Sequence, residues 1–265
     1  MRLEKLLPHP AISPLLAVPT AAGNAGERPR ILPLSLDHIG LDLPGRPGAV
    51  VDVTFTLESG GLCVVLGPNG AGKTLLLKIC HGLLKPSRGS IRWAANGNGH
   101  ARRHAMVLQR PVLLRRSVRE NVDYALRLQG VDAMDREPRV NNALALARLE
   151  HVADRPARAL SGGEQQRAAL ARAWATQPEV LFLDEPSTHL DPVAARAVEE
   201  IIAGIRAAGT TIVMTTHDLG QARRLADRIL FLNRGRLLEQ QPAGTFFQQP
   251  HSQEARAFLR GELLV

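Results

Sequence analysis

The chain has 265 residues, enough for one large domain or two modest lobes at a typical ~150 residues per domain. Of these residues 45% are hydrophobic, 22% charged and 3% aromatic, a globular composition that excludes collagen, coiled-coil rods and wholesale disorder. The net charge of +8 comes from 33 basic and 25 acidic residues, with the arginines dispersed along the chain. A dispersed excess is typical of a solvated surface, so we expect no nucleic-acid partner.

The apolar segments and the cysteines indicate a reducing compartment and no membrane span. All apolar runs are far shorter than the ~20 residues that a membrane-spanning helix needs, so we expect that the chain does not cross a bilayer by itself. Cys63 and Cys80 lie in apolar surroundings without metal-ligand spacing. This context predicts two buried hydrophobic side chains rather than a disulfide or a zinc site.

The first regular elements follow an extension at the N-terminus. Residues 1–30 are rich in Pro, Ala and Gly and lack helical or strand periodicity, which predicts a disordered extension that is not a secretory signal. Over residues 51–57 apolar and polar side chains alternate, which predicts a half-exposed strand. The run Leu62–Leu66 is apolar throughout and too short for a helix, so we expect a strand buried on both faces of a parallel sheet.

A glycine-rich segment, GPNGAGKT at residues 67–74, follows that strand and precedes a broadly apolar helix that we expect to end at Pro86. It fits G-x-x-x-x-G-K-[ST] in the strand, loop and helix context that the motif requires. The glycines allow backbone N–H groups to point inward as an anion nest, which the positive end of the helix completes. Lys73 would neutralise the outer phosphates of a nucleotide, and the Thr74 hydroxyl could ligate Mg²⁺. The predicted nucleotide-binding residues of this segment are Gly67, Pro68, Asn69, Gly70, Ala71, Gly72, Lys73 and Thr74.

Two carboxylates follow a second apolar run, residues 180–183. Acidic groups at the end of a buried strand are costly unless they hold a metal or a proton. In phosphate-loop enzymes the first carboxylate, here Asp184, organises the Mg²⁺ shell, and an adjacent one, here Glu185, can accept a proton from the attacking water. A helix cap is the alternative role for Asp184.

Between these two nucleotide motifs lies the octapeptide LSGGEQQR, residues 160–167. It resembles the signature sequence of the ATP-binding cassette (ABC) ATPases. Further motifs stand in the order that this family shows: Gln109 after a strand, a D-loop at residues 187–191 and a switch histidine, His217. The resemblance covers residues 32–240.

The resemblance implies an α/β fold, namely a phosphate-loop NTPase core of ABC type with an N-terminal antiparallel β portion and an inserted helical subdomain. The subdomain corresponds to about residues 113–160, where Ser117 and Glu120 form a capping-box pattern and residues 142–149 predict a second helix. We expect the whole ATPase domain at residues 31–245.

The signature segment has the pattern of a helix start, with Ser161 as N-cap and Glu164 as the second member of a capping box. Gly162 and Gly163 leave bare amides and the positive helix dipole facing outward, where they can hold an anion. In the family, this anion is the γ-phosphate of ATP bound by a second subunit. The resemblance therefore implies that Ser161, Gly162 and Gly163 bind nucleotide across a homodimer.

Roles for the remaining motifs also come from the resemblance. The family's switch histidine contacts the γ-phosphate, and its Q-loop glutamine touches Mg²⁺ and begins the segment that meets the membrane subunit. The predicted catalytic residues are Glu185, His217 and Lys73. The predicted metal ligands are Thr74, Gln109 and Asp184, and Gln109 also contributes to the nucleotide site. The expected cofactors are ATP and Mg²⁺.

The chain departs from the family pattern in two places. Residues 31–54 contain no Phe, Tyr or Trp to stack on adenine, and His38 or an aliphatic side chain is the candidate substitute. His189 in the D-loop occupies a position where a smaller residue is usual. This second feature also occurs in translation-associated relatives.

Two functional hypotheses follow from the resemblance. The first is the energy-coupling ATPase of a membrane importer. It would be peripheral, at the cytoplasmic face of the inner membrane, with a membrane-spanning permease and an extracytoplasmic substrate-binding protein as partners. The second is a soluble ABC ATPase that acts on ribosomes or DNA. One signature, no long heptad insertion and two separated cysteines favour the first.

The cargo prediction depends on two segments. Similarity to ATPases of oxyanion importers, particularly those for tungstate, is found in residues 109–126 and in residues 246–264. The second segment lies within a predicted C-terminal tail at 246–265. Phosphate, molybdate and amino acids are the alternatives.

Overall fold

The computed structural model describes residues 30–94 and 103–262, so the predicted N-terminal extension lies outside it apart from its last residue. The strands are β1 (Leu34–Leu43), β2 (Arg46–Leu57), β3 (Leu62–Leu66), β4 (Arg88–Trp93), β5 (His104–Val107), β6 (Val180–Asp184), β7 (Thr211–Thr215), β8 (Arg228–Asn233) and β9 (Arg236–Pro242). The helices are α1 (Lys73–His81), α2 (Val118–Leu128), α3 (Ala133–Leu146), α4 (Gly162–Ala175), α5 (Pro192–Ala207), α6 (Leu219–Leu225), α7 (Ala243–Gln248) and α8 (Gln253–Leu259). No described helix is both long and apolar enough to span a bilayer.

Two sheets form the β structure. Six strands lie in the order β5-β6-β7-β3-β8-β9, and all neighbours are parallel except β8 and β9. Three strands in the order β2-β1-β4 form a separate antiparallel sheet. Every residue of β3, β6 and β7 is buried, as expected for central strands covered on both faces. The predicted α/β fold with an N-terminal antiparallel portion is confirmed.

The two faces of the parallel sheet contribute to two apolar cores. Along β3, Leu62, Val64 and Leu66 join the core beneath the helical subdomain, while Cys63 and Val65 join the core shared with α1 and the antiparallel sheet. This alternation follows from the two-residue period of a strand. Both cysteines are free and buried, as predicted, and burial raises the pKa of the Cys63 thiol to about 12.

The helical subdomain packs α2, α3 and α4 on one another. Its predicted capping box is confirmed: Glu120 N donates to Ser117 Oγ, and Ser117 N donates to Glu120 Oε2. The helix expected at residues 142–149 begins earlier, at Ala133. Its first two turns are largely exposed and include Pro138, so they carry no apolar periodicity from which the start could be predicted.

Two other predicted boundaries shift for local reasons. The first helix ends at Gly82, before Pro86, because Gly82 adopts a left-handed conformation (φ 86°) that terminates it. In β2 the buried alternation holds for Val53, Phe55 and Leu57. It fails nearer the start of the strand, where Asp52 has φ 55° and the pairing register shifts, so that Val50 is buried.

The C-terminal segment belongs to the fold. The predicted domain boundary at residue 245 falls inside α7, and the next residue, Phe246, is fully buried in the larger core. The buried carboxylate of Glu239 on β9 accepts hydrogen bonds from Ser252 N and Oγ (both 2.5 Å) and from His251 N (3.1 Å). These bonds attach the start of α8 to the sheet, so the ATPase domain extends past residue 245.

This attachment generates a stability prediction. We expect Glu239→Ala to lower the free energy of unfolding by about 1–3 kcal/mol, because partly buried donors lose their acceptor. Burial by itself would raise the pKa of the Glu239 carboxyl, but hydrogen bonds, above all from Ser252, outweigh it and lower the pKa. The contribution is therefore present near neutral pH and is lost as pH falls through the lowered pKa.

Urea unfolding at neutral and at acidic pH measures this effect. The difference between wild type and Glu239→Ala should shrink in acid, and the exposed Glu58→Ala serves as the control at about zero change. A variant as stable as wild type at neutral pH would contradict the prediction.

Candidate functional site

The phosphate loop joins the end of β3 to the start of α1. Two of its glycines are required by space as well as by conformation. A Cβ on Gly67 (φ 151°) would lie 2.0 Å from Leu232 O, and one on Gly72 (φ 101°) would lie 2.9 Å from Ala49 O. The loop therefore runs between β2 and the end of β8 with no room for side chains at these positions.

Lys73 is the first residue of α1, and its side chain curls back over the loop. Nζ donates hydrogen bonds to Gly67 O (2.8 Å) and Pro68 O (3.0 Å), and the residue is buried. Burial lowers the pKa of the Lys73 ammonium, while the carboxylates of Glu185 and Asp184 act in the opposite direction. A positive charge is thus held at the loop between backbone carbonyls and two acidic groups.

The carboxylate of Asp184 lies at the carboxyl end of β6, almost fully buried. Its Oδ1 accepts two hydrogen bonds, from Thr74 Oγ1 and from Thr215 Oγ1, both 2.8 Å long. The alternative role as a helix cap does not fit, because these partners are hydroxyls and not helix amides. Carboxylate and hydroxyl oxygens are the ligands that Mg²⁺ prefers, so Thr74 and Asp184 fit a magnesium site.

Glu185 lies next to the predicted switch histidine. Its Oε2 is 3.2 Å from His217 Nδ1 and accepts a hydrogen bond from Thr188 Oγ1 (3.0 Å). The backbone of Glu185 is left-handed (φ 45°), which costs on the order of 1–3 kcal/mol for a residue other than glycine. Its N–H donates to Thr215 Oγ1 (2.9 Å), which helps to hold this conformation.

Thr215 and Thr188 are site residues that the sequence analysis missed. Thr215 ends β7, and its hydroxyl bridges Asp184 and the backbone of Glu185. A signal for Thr215 was present, since a threonine pair directly precedes His217 at the end of an apolar strand. Thr188 lies inside the D-loop, a segment that the family pattern identifies without giving a role to this residue.

Gln109 reaches the same edge of the sheet by strand pairing. Strands β5 and β6 are parallel, and Val107 pairs with Leu183, so the two strands end side by side. Gln109 follows the end of β5, and Asp184 is the last residue of β6. The Gln109 side chain is partly exposed there. The structure thus brings this glutamine beside the acidic strand end without a direct bond to it among the described contacts.

The signature segment forms a separate part of the site. Its capping box is confirmed, with Glu164 N donating to Ser161 Oγ (3.3 Å) and Ser161 N donating to Glu164 Oε2 (2.9 Å). Ser161 and Gly162 are exposed, and a Cβ at Gly163 would lie 2.8 Å from Ala194 Cβ on α5. Among the described residues, no hydrogen bond or ion pair connects the signature to the phosphate loop.

The two departures from the family pattern have defined surroundings. His38 Nδ1 is 2.6 Å from Asp52 Oδ1, and this bond raises the pKa of His38. The residue that does reach the phosphate loop from β2 is Arg46, whose Nη2 donates to Gly70 O (2.5 Å). His189 is exposed with φ 65° and lines an open cavity of about 880 Å³ beside the D-loop.

Comparison with known sequences shows the family. Residues 50–188, more than half of the chain, match the ABC transporter family. The tungstate uptake system ATP-binding protein TupC of Peptoclostridium acidaminophilum is 41% identical over 72% of this chain and 90% of its own length. The phosphate import ATP-binding protein PstB 2 of Natronomonas pharaonis is 36% identical over 80% of this chain and 81% of its own. The cobalt import ATP-binding protein CbiO of Rhodobacter capsulatus is 35% identical over 77% of each.

Solved structures agree with this assignment. The cbiO1 protein of Clostridium perfringens, part of the transporter complex cbiONQ, matches with a TM-score of 0.74 and 26% identity over 88% of this chain and 96% of its own. A dimeric ATP-binding cassette in a post-hydrolysis state with ADP and Pi matches with a TM-score of 0.69 and 26% identity over 79% of this chain and 98% of its own. The chain therefore belongs to the ABC transporter family, and it is an ATPase of that family.

Proposed function

We propose that this ATPase supplies energy to an importer by hydrolysing ATP at the phosphate loop, with Glu185 as the general base. The observation that carries the proposal is the arrangement at the ends of β6 and β7. One buried carboxylate, Asp184, lies against Thr74, and the next, Glu185, lies against His217. The relatives named above, which are import ATP-binding proteins, support the importer over a soluble ATPase of ribosomes or DNA.

In this proposal each side chain has a distinct task. The N–H groups of residues 67–74 and the ammonium of Lys73 bind the phosphates, with Lys73 exchanging its carbonyl partners for phosphate oxygens. Thr74 and Asp184 would hold Mg²⁺, which would supply positive charge to neutralise the outer phosphates. Glu185 takes the proton of the attacking water. His217 orients the carboxylate of Glu185 and contacts the γ-phosphate.

The active unit is a homodimer with composite sites. The outward amides of Gly162 and Gly163 at the start of α4 have no contact with their own phosphate loop among the described residues. In a two-fold pairing, each site combines Lys73 of one chain with Ser161 and the glycines of the other. The dimeric cassette with ADP and Pi supports this arrangement.

The partner in the membrane is a membrane-spanning permease, and this chain binds it peripherally at the cytoplasmic face of the inner membrane. We propose that the segment from Gln109 to Arg119 docks on it. The segment lies at the junction of the sheet and the helical subdomain, and it exposes Val112 to 70%. Fractionation tests the association, because a transporter ATPase should sediment with membranes although none of its described helices spans them.

Replacement of Glu185 tests the general base. We expect Glu185→Gln to bind ATP but to lose roughly 10²- to 10⁴-fold in hydrolysis, because the amide cannot accept the proton. With hydrolysis stalled, the variant should accumulate as an ATP-bound dimer in gel filtration with ATP and Mg²⁺. Glu58→Gln, an exposed change of the same charge, is the control, and a monomeric Glu185→Gln with wild-type turnover would contradict the proposal.

Mixed dimers test the composite site. Lys73→Ala removes the phosphate charge and Gly162→Asp repels phosphate from the signature. A Cβ at Gly162 would have nothing within 4 Å, whereas a Cβ at Gly163 would lie 2.8 Å from Ala194 Cβ. The aspartate is therefore placed at position 162, where it does not disturb the packing of α5. Each variant alone should be inactive. A 1:1 mixture with free exchange should regain roughly a quarter of the wild-type rate, because half of the dimers contain one intact site.

Two results with the unmixed variants would contradict these assignments. The first is wild-type turnover by the purified Gly162→Asp protein, since its signature is then not needed. The second is wild-type turnover by Lys73→Ala, which would remove the phosphate-loop assignment itself.

We propose that the cargo is a tetrahedral oxyanion such as tungstate, selected by a separate extracytoplasmic binding protein. The similarity to the tungstate and phosphate import proteins supports this class, whereas the cobalt relative shows that the same ATPase design also serves a cation importer. Tungstate, molybdate, phosphate, sulfate, Co²⁺ and amino acids should therefore be tested on the complete complex with its binding protein, reconstituted in lipid. We expect an oxyanion to stimulate ATP hydrolysis. Stimulation by Co²⁺ or an amino acid and by no oxyanion would contradict the cargo.

A further inference from the structure

A buried amide connects the two loops that contact Glu185. Gln221 lies in the first turn of α6, is 1% exposed, and donates from Nε2 to Ser187 Oγ (2.7 Å) and to Glu199 Oε1 (3.2 Å). Ser187 belongs to the D-loop, and Glu199 lies on α5. One side chain therefore bonds the loop after β6 to the segment after β7.

The orientation of this amide is determined by its neighbours. The carboxylate of Glu199, almost fully buried, forms a bidentate ion pair with Arg224 (Nη2 to Oε1 2.7 Å, Nε to Oε2 3.1 Å). An ionised carboxylate only accepts hydrogen bonds, so the NH₂ group of Gln221 must face it. The second N–H of the same group then points to Ser187.

The buried amide of Gln221 is only partly satisfied. Gln221 Oε1 is buried and has no hydrogen-bond partner among the described residues. An unsatisfied buried acceptor lowers stability, so stability alone does not explain a glutamine here. What the glutamine contributes is the pair of hydrogen bonds that its amide donates to Ser187 and Glu199.

Gln221 lies between two segments that each contact Glu185 through a neighbouring residue. Ser187 directly precedes Thr188, whose hydroxyl donates to Glu185 Oε2 (3.0 Å). His217 Nδ1 lies 3.2 Å from the same oxygen. His217 and Gln221 are joined by the cap of α6, because Asp218 accepts a hydrogen bond from the Gln221 backbone N–H (3.0 Å).

We propose that Gln221 is a positioning residue for ATP hydrolysis. It holds the D-loop and the His217 segment at a fixed spacing, so that Thr188 and His217 keep the Glu185 carboxylate oriented toward the attacking water. Glu199 and Arg224 form the rigid anchor for this amide. The inference rests on the proposed role of Glu185 as general base.

Gln221→Met tests the role with little change of shape, since methionine is unbranched, similar in length and unable to donate hydrogen bonds. We expect kcat to fall roughly 10- to 100-fold through misplacement of Glu185. The KM for ATP should stay close to wild type, because the phosphate loop is untouched. Gln240→Met, at an exposed position of β9, is the matched control.

A second route removes the other end of the bond. Ser187→Ala leaves the Glu199–Arg224 pair intact and should lower kcat in the same way. Because both changes break the same bond between Gln221 and Ser187, the double variant Ser187→Ala/Gln221→Met should be no slower than the poorer single variant. This route keeps the test valid if Gln221→Met folds poorly.

Exchange of the two polar groups provides a rescue. Gln221→Glu alone places two carboxylates together and should be slow. Adding Glu199→Gln reverses the bond, so that the amide at position 199 donates to the carboxylate at position 221. The Ser187 hydroxyl can donate to the same carboxylate, and the amide oxygen at position 199 can still accept a hydrogen bond from Arg224. The exchanged protein should recover most of kcat.

Three results would overturn the inference. They are wild-type kcat in Gln221→Met, a rise in KM as large as the loss of kcat, or a loss of kcat that follows Tm without recovery in the exchanged protein. Glu185→Gln is measured in parallel. If Glu185→Gln is inactive and Gln221→Met is normal, only this inference fails, whereas an active Glu185→Gln removes the proposed function beneath it.

Discussion

The buried carboxylate of Asp184 is the interaction on which the rest of the site depends. One of its oxygens accepts hydroxyl hydrogen bonds from Thr74 and Thr215. These bonds join the end of β6 to the start of α1 and to the end of β7, three segments that are distant in sequence. An ionised carboxylate buried without such partners would be prohibitively costly, so the surrounding segments are constrained to supply them. Mg²⁺ in the proposed site would compete for the same oxygens.

A second constraint is that the site is divided. The phosphate loop, the acidic strand end and His217 come together within one chain, but the amides of the signature face outward from α4 without a bond to them among the described residues. In the proposed dimer, such a layout would make hydrolysis conditional on assembly. The bond between Gln221 and Ser187 bears on the same coupling, because it links the D-loop to the segment that carries His217.

The comparisons separate what this chain does from what its complex carries. The relatives import tungstate, phosphate and cobalt, according to their names, and they share this chain's family. In the proposed function, the residues that bind phosphate and activate water are independent of the cargo, because the cargo contacts other proteins. Cargo is therefore the part of the proposal that depends most on similarity and least on geometry.

The sequence by itself determined the features whose physics is local. The phosphate loop needs glycines and a lysine at fixed spacing, both capping boxes need residues three apart, and a buried five-residue strand needs only apolar side chains. The tertiary structure decided the features that depend on contacts between distant segments. Thr215 lies 31 residues from Asp184, and Gln221 lies 34 residues from Ser187. Phe246, which follows β9, is buried in the larger core, where its ring packs against Phe231 of β8. The start of α3 was likewise hidden, because its exposed first turns carry no apolar period and only the packing of its later residues reveals the helix.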